Sequence, residues 1–118
     1  IEEADQIIDA LIGYGLRDAP RGKIADWIDL ANHSKFPILS LDIPSGIGAD
    51  SGKAPGVCIR ASATLTLALP KIGLLKKEAI DHVGDFLSGL IPAPLSLLKG
   101  LRVQPGIIFK SSPVVRIV

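Results

Sequence analysis

Two apolar runs separated by one amphipathic segment constrain the fold of this chain most strongly. The first run, residues 6–12, leads into the glycine turn at residues 13–15, and the second run covers residues 36–41. Between them, residues 23–32 carry apolar side chains at helical spacing, after a break at Pro20. The order strand, helix, strand within about 40 residues predicts a βαβ unit whose two strands are parallel.

Each of the two predicted strands brings a carboxylate toward its carboxyl end. Asp9 lies within the first run, and Asp42 follows the second run directly, before the turn at residues 44–46. Because βαβ crossovers are nearly always right-handed, we expect Asp9 and Asp42 at the same edge of one sheet. Ligands of open α/β sheets bind at that edge, so Asp42 is a candidate for acid and base chemistry. The plain alternative is that Asp42 only caps the following turn.

The remaining elements follow from β-forming residues and from turn-forming Gly, Pro and Asp. Lys71 comes just after the third strand, and we interpret it as a solvated residue at a helix start, with a place at the sheet edge as the alternative. The sequence predicts a surface loop at 47–56, a strand at 63–69, a short helix at 73–80, a strand at 83–90, at most a helical turn at 95–98, and edge strands or tail at 107–109 and 114–118.

Composition excludes several classes of protein. With 118 residues, 47% hydrophobic residues, 21% charged residues and a net charge of +1, the chain is globular, one domain in size, and lacks a basic surface for DNA. No apolar run approaches the ~20 residues of a membrane span. The single cysteine, Cys58, is expected in the core and suits a reducing, cytoplasmic location. The chain contains no methionine, so we expect a processed protein or a piece of a longer one.

Hard oxygen ligands are the metal-binding groups that the sequence offers. His33 and His82 have no Cys, His or Glu companion at a metal-ligand spacing, so we expect two surface histidines and no zinc site. Asp9, Ser45 and the carbonyls of the two turns instead suit a hard cation such as potassium, sodium or magnesium.

Several motifs in a fixed order carry a family resemblance. Residues 9–16, 20–22, 41–46 and 64–75 together resemble the second half of the NAD(P)H-hydrate epimerase domain, the YjeF N-terminal-like domain, over about residues 5–90. The resemblance implies a Rossmann-like three-layer α/β/α fold with a mainly parallel sheet. It also implies an isomerase that uses potassium and inverts the hydroxyl-bearing ring carbon of hydrated NADH or NADPH. The first half of the family's domain has no counterpart here, so we expect residues 1–118 to form one partial domain. The resemblance does not imply that this partial domain is active on its own.

The resemblance also assigns site residues by position. Asp9 and Ser45 resemble the potassium ligands, and Asp42 resembles the substrate-binding, catalytic carboxylate. The expected partner is a small-molecule substrate, with no DNA and no membrane, and the family leaves room for a homodimer. The alternative is a non-catalytic module of the same fold that binds RNA or dimerises, as in decapping enhancers, although the near-neutral charge disfavours RNA. The loop that resembles the family's substrate-contacting turn consists of Gly13, Tyr14, Gly15, Leu16, Arg17, Asp18 and Ala19.

Overall fold

A five-stranded sheet forms the centre of the structure. The computed structural model describes residues 3–89 and 112–118, in which the strands lie in sequence order across the sheet. The first four strands are parallel, and the fifth pairs antiparallel with the fourth. This arrangement confirms the predicted α/β class with a mainly parallel sheet. The strands are β1 (Ile7–Asp9), β2 (Ile38–Leu41), β3 (Ala63–Leu67), β4 (Asp85–Gly89) and β5 (Val114–Arg116).

One long helix, α1 (Gly22–His33), connects β1 to β2 and confirms the predicted βαβ unit. It begins after Arg21, whose backbone is extended, and it ends where the Ser34 N–H donates to the Ala31 carbonyl at 3.1 Å. Its buried residues, Ile28 and Ala31, form an apolar stripe toward the core, as the helical spacing of the sequence requires.

The predicted helix at 73–80 is wrong. The segment instead contains two 3₁₀ turns, Ile72–Leu75 and Lys77–Ala79, followed by the one-turn helix α2 (Ile80–Val83). The N–H of Gly73 donates to the Ala49 carbonyl at 2.7 Å, which ties this backbone to the preceding loop. Gly73 also packs directly against this loop, where an added Cβ would meet the Ala49 carbonyl, so contacts with the loop accompany the irregular path of the segment.

The strands are shorter than the apolar runs suggested. Strand β1 stops at Asp9, and β3 stops at Leu67 because Ala68 has a positive φ of 62° that breaks the extended backbone. Val83 belongs to α2 rather than to β4. Strand β5 confirms an edge strand within residues 114–118, whereas the expectations at 95–98 and 107–109 lie outside the described residues.

The two faces of the sheet are covered unequally. The crossover from β1 to β2, which contains α1, and the crossover from β3 to β4, which contains α2, advance in the same direction across the sheet, so the right-handed rule places both helices on one face. Side chains on that face are fully buried, including Ile38, Thr64 and Phe86. Residues at the intervening positions, such as Leu39 and Leu65, are only partly buried. Of the three predicted layers, the described residues therefore form the sheet and one helical layer.

A search of the helices within residues 3–89 and 112–118 finds none with the length and apolar character needed to cross a membrane.

Candidate active site

Asp9 is buried at the carboxyl end of β1 and holds the following loops together. Its side chain is 2% exposed, and it lies directly beside Ser40 in the register of β1 with β2. The Ser40 hydroxyl donates to Asp9 Oδ2 at 2.7 Å, and the Ser45 N–H donates to the same oxygen at 2.9 Å. The Ser45 hydroxyl donates to Asp9 Oδ1 at 2.5 Å. A buried carboxylate needs such donors, and here they fix the Pro44-Ser45-Gly46 turn to β1.

The same turn reaches the first glycine loop. Ser45 Oγ accepts the N–H of Ile12 at 2.8 Å, so one hydroxyl connects Asp9 to the segment that leads into Gly13. Gly46 has a φ of 103°, and a Cβ on it would lie 2.8 Å from the Cα of Cys58. Glycine is therefore required at this position, because the loop backbone passes too close for any side chain.

The negative charge of Asp9 affects the pKa of the neighbouring Cys58 thiol. Burial, together with the charge of Asp9, raises the pKa of Cys58 from its usual 9.0 to about 12. Cys58 is 5% exposed and packs in the core cluster with Ile43 and Ile47, which confirms its expected structural place. A thiol held in its protonated form is a poor nucleophile, so we assign Cys58 no part in the chemistry.

Asp42 stands at the carboxyl end of β2 in a backbone conformation that few residues adopt. Its φ is 67°, and its N–H donates to the Leu65 carbonyl at 2.8 Å. Its Oδ1 accepts the N–H of Leu67 at 3.2 Å. The side chain is 25% exposed, and none of the described donors reaches Oδ2. Asp42 thus sits at the expected sheet edge, bound on one oxygen and open on the other.

Lys71 lies at the start of the 3₁₀ turn Ile72–Leu75, as predicted, but it forms an ion pair with Asp42 and is not the solvated residue that we expected. Its ammonium contacts Asp42 Oδ1 and donates to the Leu67 carbonyl at 2.9 Å. It also lies 3.3 Å from Thr66 Oγ1, and its side chain is only 17% exposed. The signal was present in the sequence, since Lys71 follows the end of β3 just as Asp42 follows β2.

The loop at residues 13–19 faces the loop at residues 48–55. Tyr14 Oη lies 3.3 and 3.5 Å from the two carboxylate oxygens of Asp50. A cleft of about 360 Å³ lies between the loops. Asp42 does not line this cleft. The segment that follows Asp42 reaches the cleft only from Gly48 onward. The cleft is lined by Leu16, Arg17, Gly48, Ser51, Lys53, Ala54 and Pro55.

Gly13 and Gly15 are not required by the fold. An added Cβ at either position would meet no atom within 4 Å, and neither residue has a positive φ. Their lack of a side chain therefore leaves open space beside the loop. Asp18 makes no side-chain hydrogen bond or ion pair within the described part of the chain, and Ala19 lies against Gly56.

Three oxygens converge around Ser45. Its Oγ lies 2.5 Å from Asp9 Oδ1 and 3.4 Å from the Ile12 carbonyl oxygen. A carboxylate, a hydroxyl and a carbonyl are the donor types that hard cations prefer, so this set fits a cation such as potassium in kind. Among the residues that the structure places, there is no group of three or more His, Cys, Asp or Glu side chains suited to a metal ion. His33 is exposed, as expected, but His82 is half-buried and contacts the Ile59 carbonyl at 3.0 Å.

The four parallel strands, with carboxylates and glycine loops at their carboxyl edge, define a Rossmann-like α/β architecture. Comparison with known proteins agrees with this class. The family model described as YjeF-related protein N-terminus matches residues 1–73, and the chain therefore belongs to this family.

The relatives that the chain matches are named as epimerases or bifunctional repair enzymes of NAD(P)H hydrate. The chain is 53% identical over 92 residues to the NAD(P)H-hydrate epimerase of Dehalogenimonas lykanthroporepellens, covering 77% of this chain and 37% of that protein. It is 40% identical over 111 residues to the NAD(P)H-hydrate epimerase of Truepera radiovictrix, covering 94% and 48%. It is 48% identical over 84 residues to the bifunctional NAD(P)H-hydrate repair enzyme Nnr of Escherichia coli, covering 71% and 16%. The chain thus spans less than half the length of these relatives.

A solved structure shares the fold. The crystal structure of the yeast protein ynu0 superposes with a TM-score of 0.73 at 18% identity, over 98% of this chain and 48% of that one. At this identity the likeness supports the architecture of the sheet and its crossovers.

Proposed function

We propose that the protein containing this chain is an isomerase that interconverts the two epimers of hydrated NADH or NADPH, in the repair of damaged nicotinamide nucleotides. The observation that carries the proposal is Asp42, which stands at the carboxyl edge of the sheet with a 25% exposed side chain, two donors on Oδ1 and, within the described residues, none on Oδ2. Family membership and the names of the relatives give the substrate class.

Epimerisation of the hydrate requires a group that donates and accepts a proton. In the hydrate, the hydroxyl-bearing carbon is bonded to the ring nitrogen. When the hydroxyl accepts a proton, the C–O bond breaks, water leaves, and the lone pair of the ring nitrogen forms a double bond to the carbon. Water then adds to the opposite face of that carbon and gives the proton back, which inverts the configuration. Asp42 would act as the acid and the base in this exchange, a contribution that is typically worth about 10²- to 10⁴-fold in rate.

The loop at residues 13–19 is proposed to contact the substrate. Gly13 and Gly15 leave open space for a ligand, and Arg17 with Lys53 places two cationic side chains at the cleft between the loops. Cationic groups suit the phosphates of a dinucleotide. The further proposed contacts of this loop are Tyr14, Leu16, Asp18 and Ala19.

Potassium is proposed as the bound ion, with Asp9 and Ser45 among its ligands. The convergence of Asp9 Oδ1, Ser45 Oγ and the Ile12 carbonyl supports this assignment. When bound, a cation here would supply positive charge close to substrate phosphate or hydroxyl oxygens.

The proposal also covers the location of the protein, its domain and its partners. The single buried cysteine supports a reducing, cytoplasmic location. We propose that residues 1–118 belong to one domain, that the partner is a small molecule rather than DNA, and that a homodimer is compatible with the family.

The test is to supply the whole protein with a single epimer of hydrated NADPH and to follow its conversion by NMR. We expect equilibration far faster than in buffer, and faster with potassium present than with it replaced by a bulky organic cation. Equilibration at the rate of buffer alone contradicts the proposal. If the protein then retains RNA in a salt-dependent manner, the non-catalytic alternative is supported instead.

A further inference from the structure

Strained backbone occurs at two matching places in the structure. Within residues 3–89 and 112–118, the non-glycine residues with positive φ are Asp42, at 67°, and Ala68, at 62°. Each follows the end of one of two neighbouring parallel strands, β2 and β3. Such conformations cost about 1–3 kcal/mol each and persist only where the surrounding contacts determine them.

The two strained residues lie close to, or form, the two partners of the ion pair between Asp42 and Lys71. Asp42 is itself one partner, and the turn that begins at Ala68 brings Lys71 back over the end of β3. The Ala68 N–H donates to the Gly89 carbonyl at 2.9 Å, which fixes that turn to the neighbouring strand. The two strained residues therefore flank one contact, and strain of this kind clusters at functional sites.

The ion pair is anchored so that it orients the carboxylate. The Lys71 ammonium is held by the Leu67 carbonyl and lies beside Thr66 Oγ1, which is fully buried. Asp42 Oδ1 then receives both the ammonium and the Leu67 N–H. With Oδ1 occupied by two donors, Oδ2 is the oxygen left for a ligand.

We propose that Lys71 is a positioning residue for Asp42. By holding Oδ1, its ammonium presents Oδ2 as the atom that exchanges a proton with the hydroxyl of the substrate. The proposal deepens the proposed function and rests on it. The proton passes between Oδ2 and the substrate oxygen, while Lys71 keeps its own protons throughout and contacts no substrate atom.

Kinetics of Lys71 variants in the whole protein test this role. Lys71→Met keeps the length and packing of the side chain but has no charge, and Lys77→Met, at an exposed lysine, is the matched control. We expect Lys71→Met to lower kcat by about 10- to 100-fold, the range for loss of a charge-assisted hydrogen bond, with KM changed less than about threefold. Ethylammonium added to Lys71→Ala should restore part of kcat.

A purely structural role predicts a different pattern. In that case any loss of kcat would reflect a loss of folded protein, seen as a lower Tm, and ethylammonium would not restore kcat. That pattern, or a kcat of Lys71→Met within about twofold of wild type, overturns the proposal.

A second measurement separates this proposal from the proposed function. In the ¹⁵N NMR spectrum of the wild-type protein, we expect the Lys71 ammonium protons to be protected from exchange with water, and to lose protection in Asp42→Asn. If the protein lacks epimerase activity but shows this protection, the function fails while the pairing stands. If ammonium protection is absent in an active enzyme, the positioning role fails alone.

Discussion

A single carboxylate organises the loops at the carboxyl edge of the sheet. Asp9 accepts four hydrogen bonds, two from the backbone and side chain of Ser45, one from the Ser40 hydroxyl and a longer one, 3.4 Å, from the Leu11 N–H. Each such bond to a charged group contributes about 1.5–3 kcal/mol, and the donors would be left unsatisfied if the carboxylate were removed. Asp9 therefore has a structural role whether or not an ion is bound, and a test of the proposed ion must separate the two.

Asp9→Asn separates the ion from the fold. The amide keeps the volume of Asp9 but turns one acceptor into a donor, so we expect a loss of about 1–3 kcal/mol in the free energy of unfolding. In the whole wild-type protein, potassium should raise Tm and the rate of epimerisation, and in Asp9→Asn it should raise neither. Asp26→Asn, on the exposed face of α1, is the control and should respond to potassium as wild type does. A potassium response that persists in Asp9→Asn would remove Asp9 from the ion site.

Cys58 makes the free energy of unfolding depend on pH in the alkaline range. The folded state keeps the thiol proton up to about pH 12, whereas the unfolded chain releases it near the ordinary pKa of 9.0. The unfolded state thus binds fewer protons above pH 9, and the free energy of unfolding falls as the pH rises between 9 and 12. Below pH 9 this contribution is fully present.

The measurement is a difference between wild type and Cys58→Ala, because contributions that the two proteins share cancel in that difference. Between about pH 8 and about pH 10, urea unfolding of wild type should lose about 1 kcal/mol more than Cys58→Ala. Parallel pH dependence of the two proteins would show that the thiol is not held protonated by the fold.

At the scale of the loops, glycines of two kinds can be told apart. At Gly46 the backbone of Cys58 leaves no room for a Cβ, and φ is positive, whereas Gly13 has neither constraint. We expect Gly46→Ala to destabilise the protein by about 3 kcal/mol or more, through strain and overpacking.

Gly13→Ala should leave Tm unchanged and raise KM for the hydrated nucleotide, because the added methyl group enters the space proposed for the substrate. Urea unfolding and steady-state kinetics of the two variants measure this contrast. A Gly13→Ala protein with unchanged KM would place the substrate away from this loop.

Predictability from the sequence differed between elements for physical reasons. The βαβ unit was predictable because α1 has helical periodicity and β1 and β2 are apolar runs, and the edge at which Asp42 lies followed from the parallel direction of the two strands. The segment after β3 was not predictable, because the contact of Gly73 with the loop at Ala49 decides its shape. The partner of Lys71 was missed for the same reason, since a turn set by the positive φ of Ala68 brings it to Asp42.

At the scale of the whole molecule, the sheet carries one fully covered face and one partly covered face. Half-buried leucines such as Leu39 and Leu65 lie on the second face, and an apolar groove beside β1 exposes Trp27 and Leu30 by 53% and 55%. Since the relatives are more than twice as long as the matched region, measurements of activity belong to the whole protein.

The central claim is that Asp42 moves the proton in epimerisation, and Asp42→Asn tests it most directly. Asn tolerates the positive φ of this position and nearly matches Asp in size, so the fold should be kept. Asp85→Asn, at the amino end of β4 and on the opposite edge of the sheet, is the matched control. With one epimer of hydrated NADPH followed by NMR, we predict that Asp42→Asn slows exchange by about 10²- to 10⁴-fold while Asp85→Asn exchanges as wild type does. An exchange rate in Asp42→Asn equal to that of wild type would contradict the account.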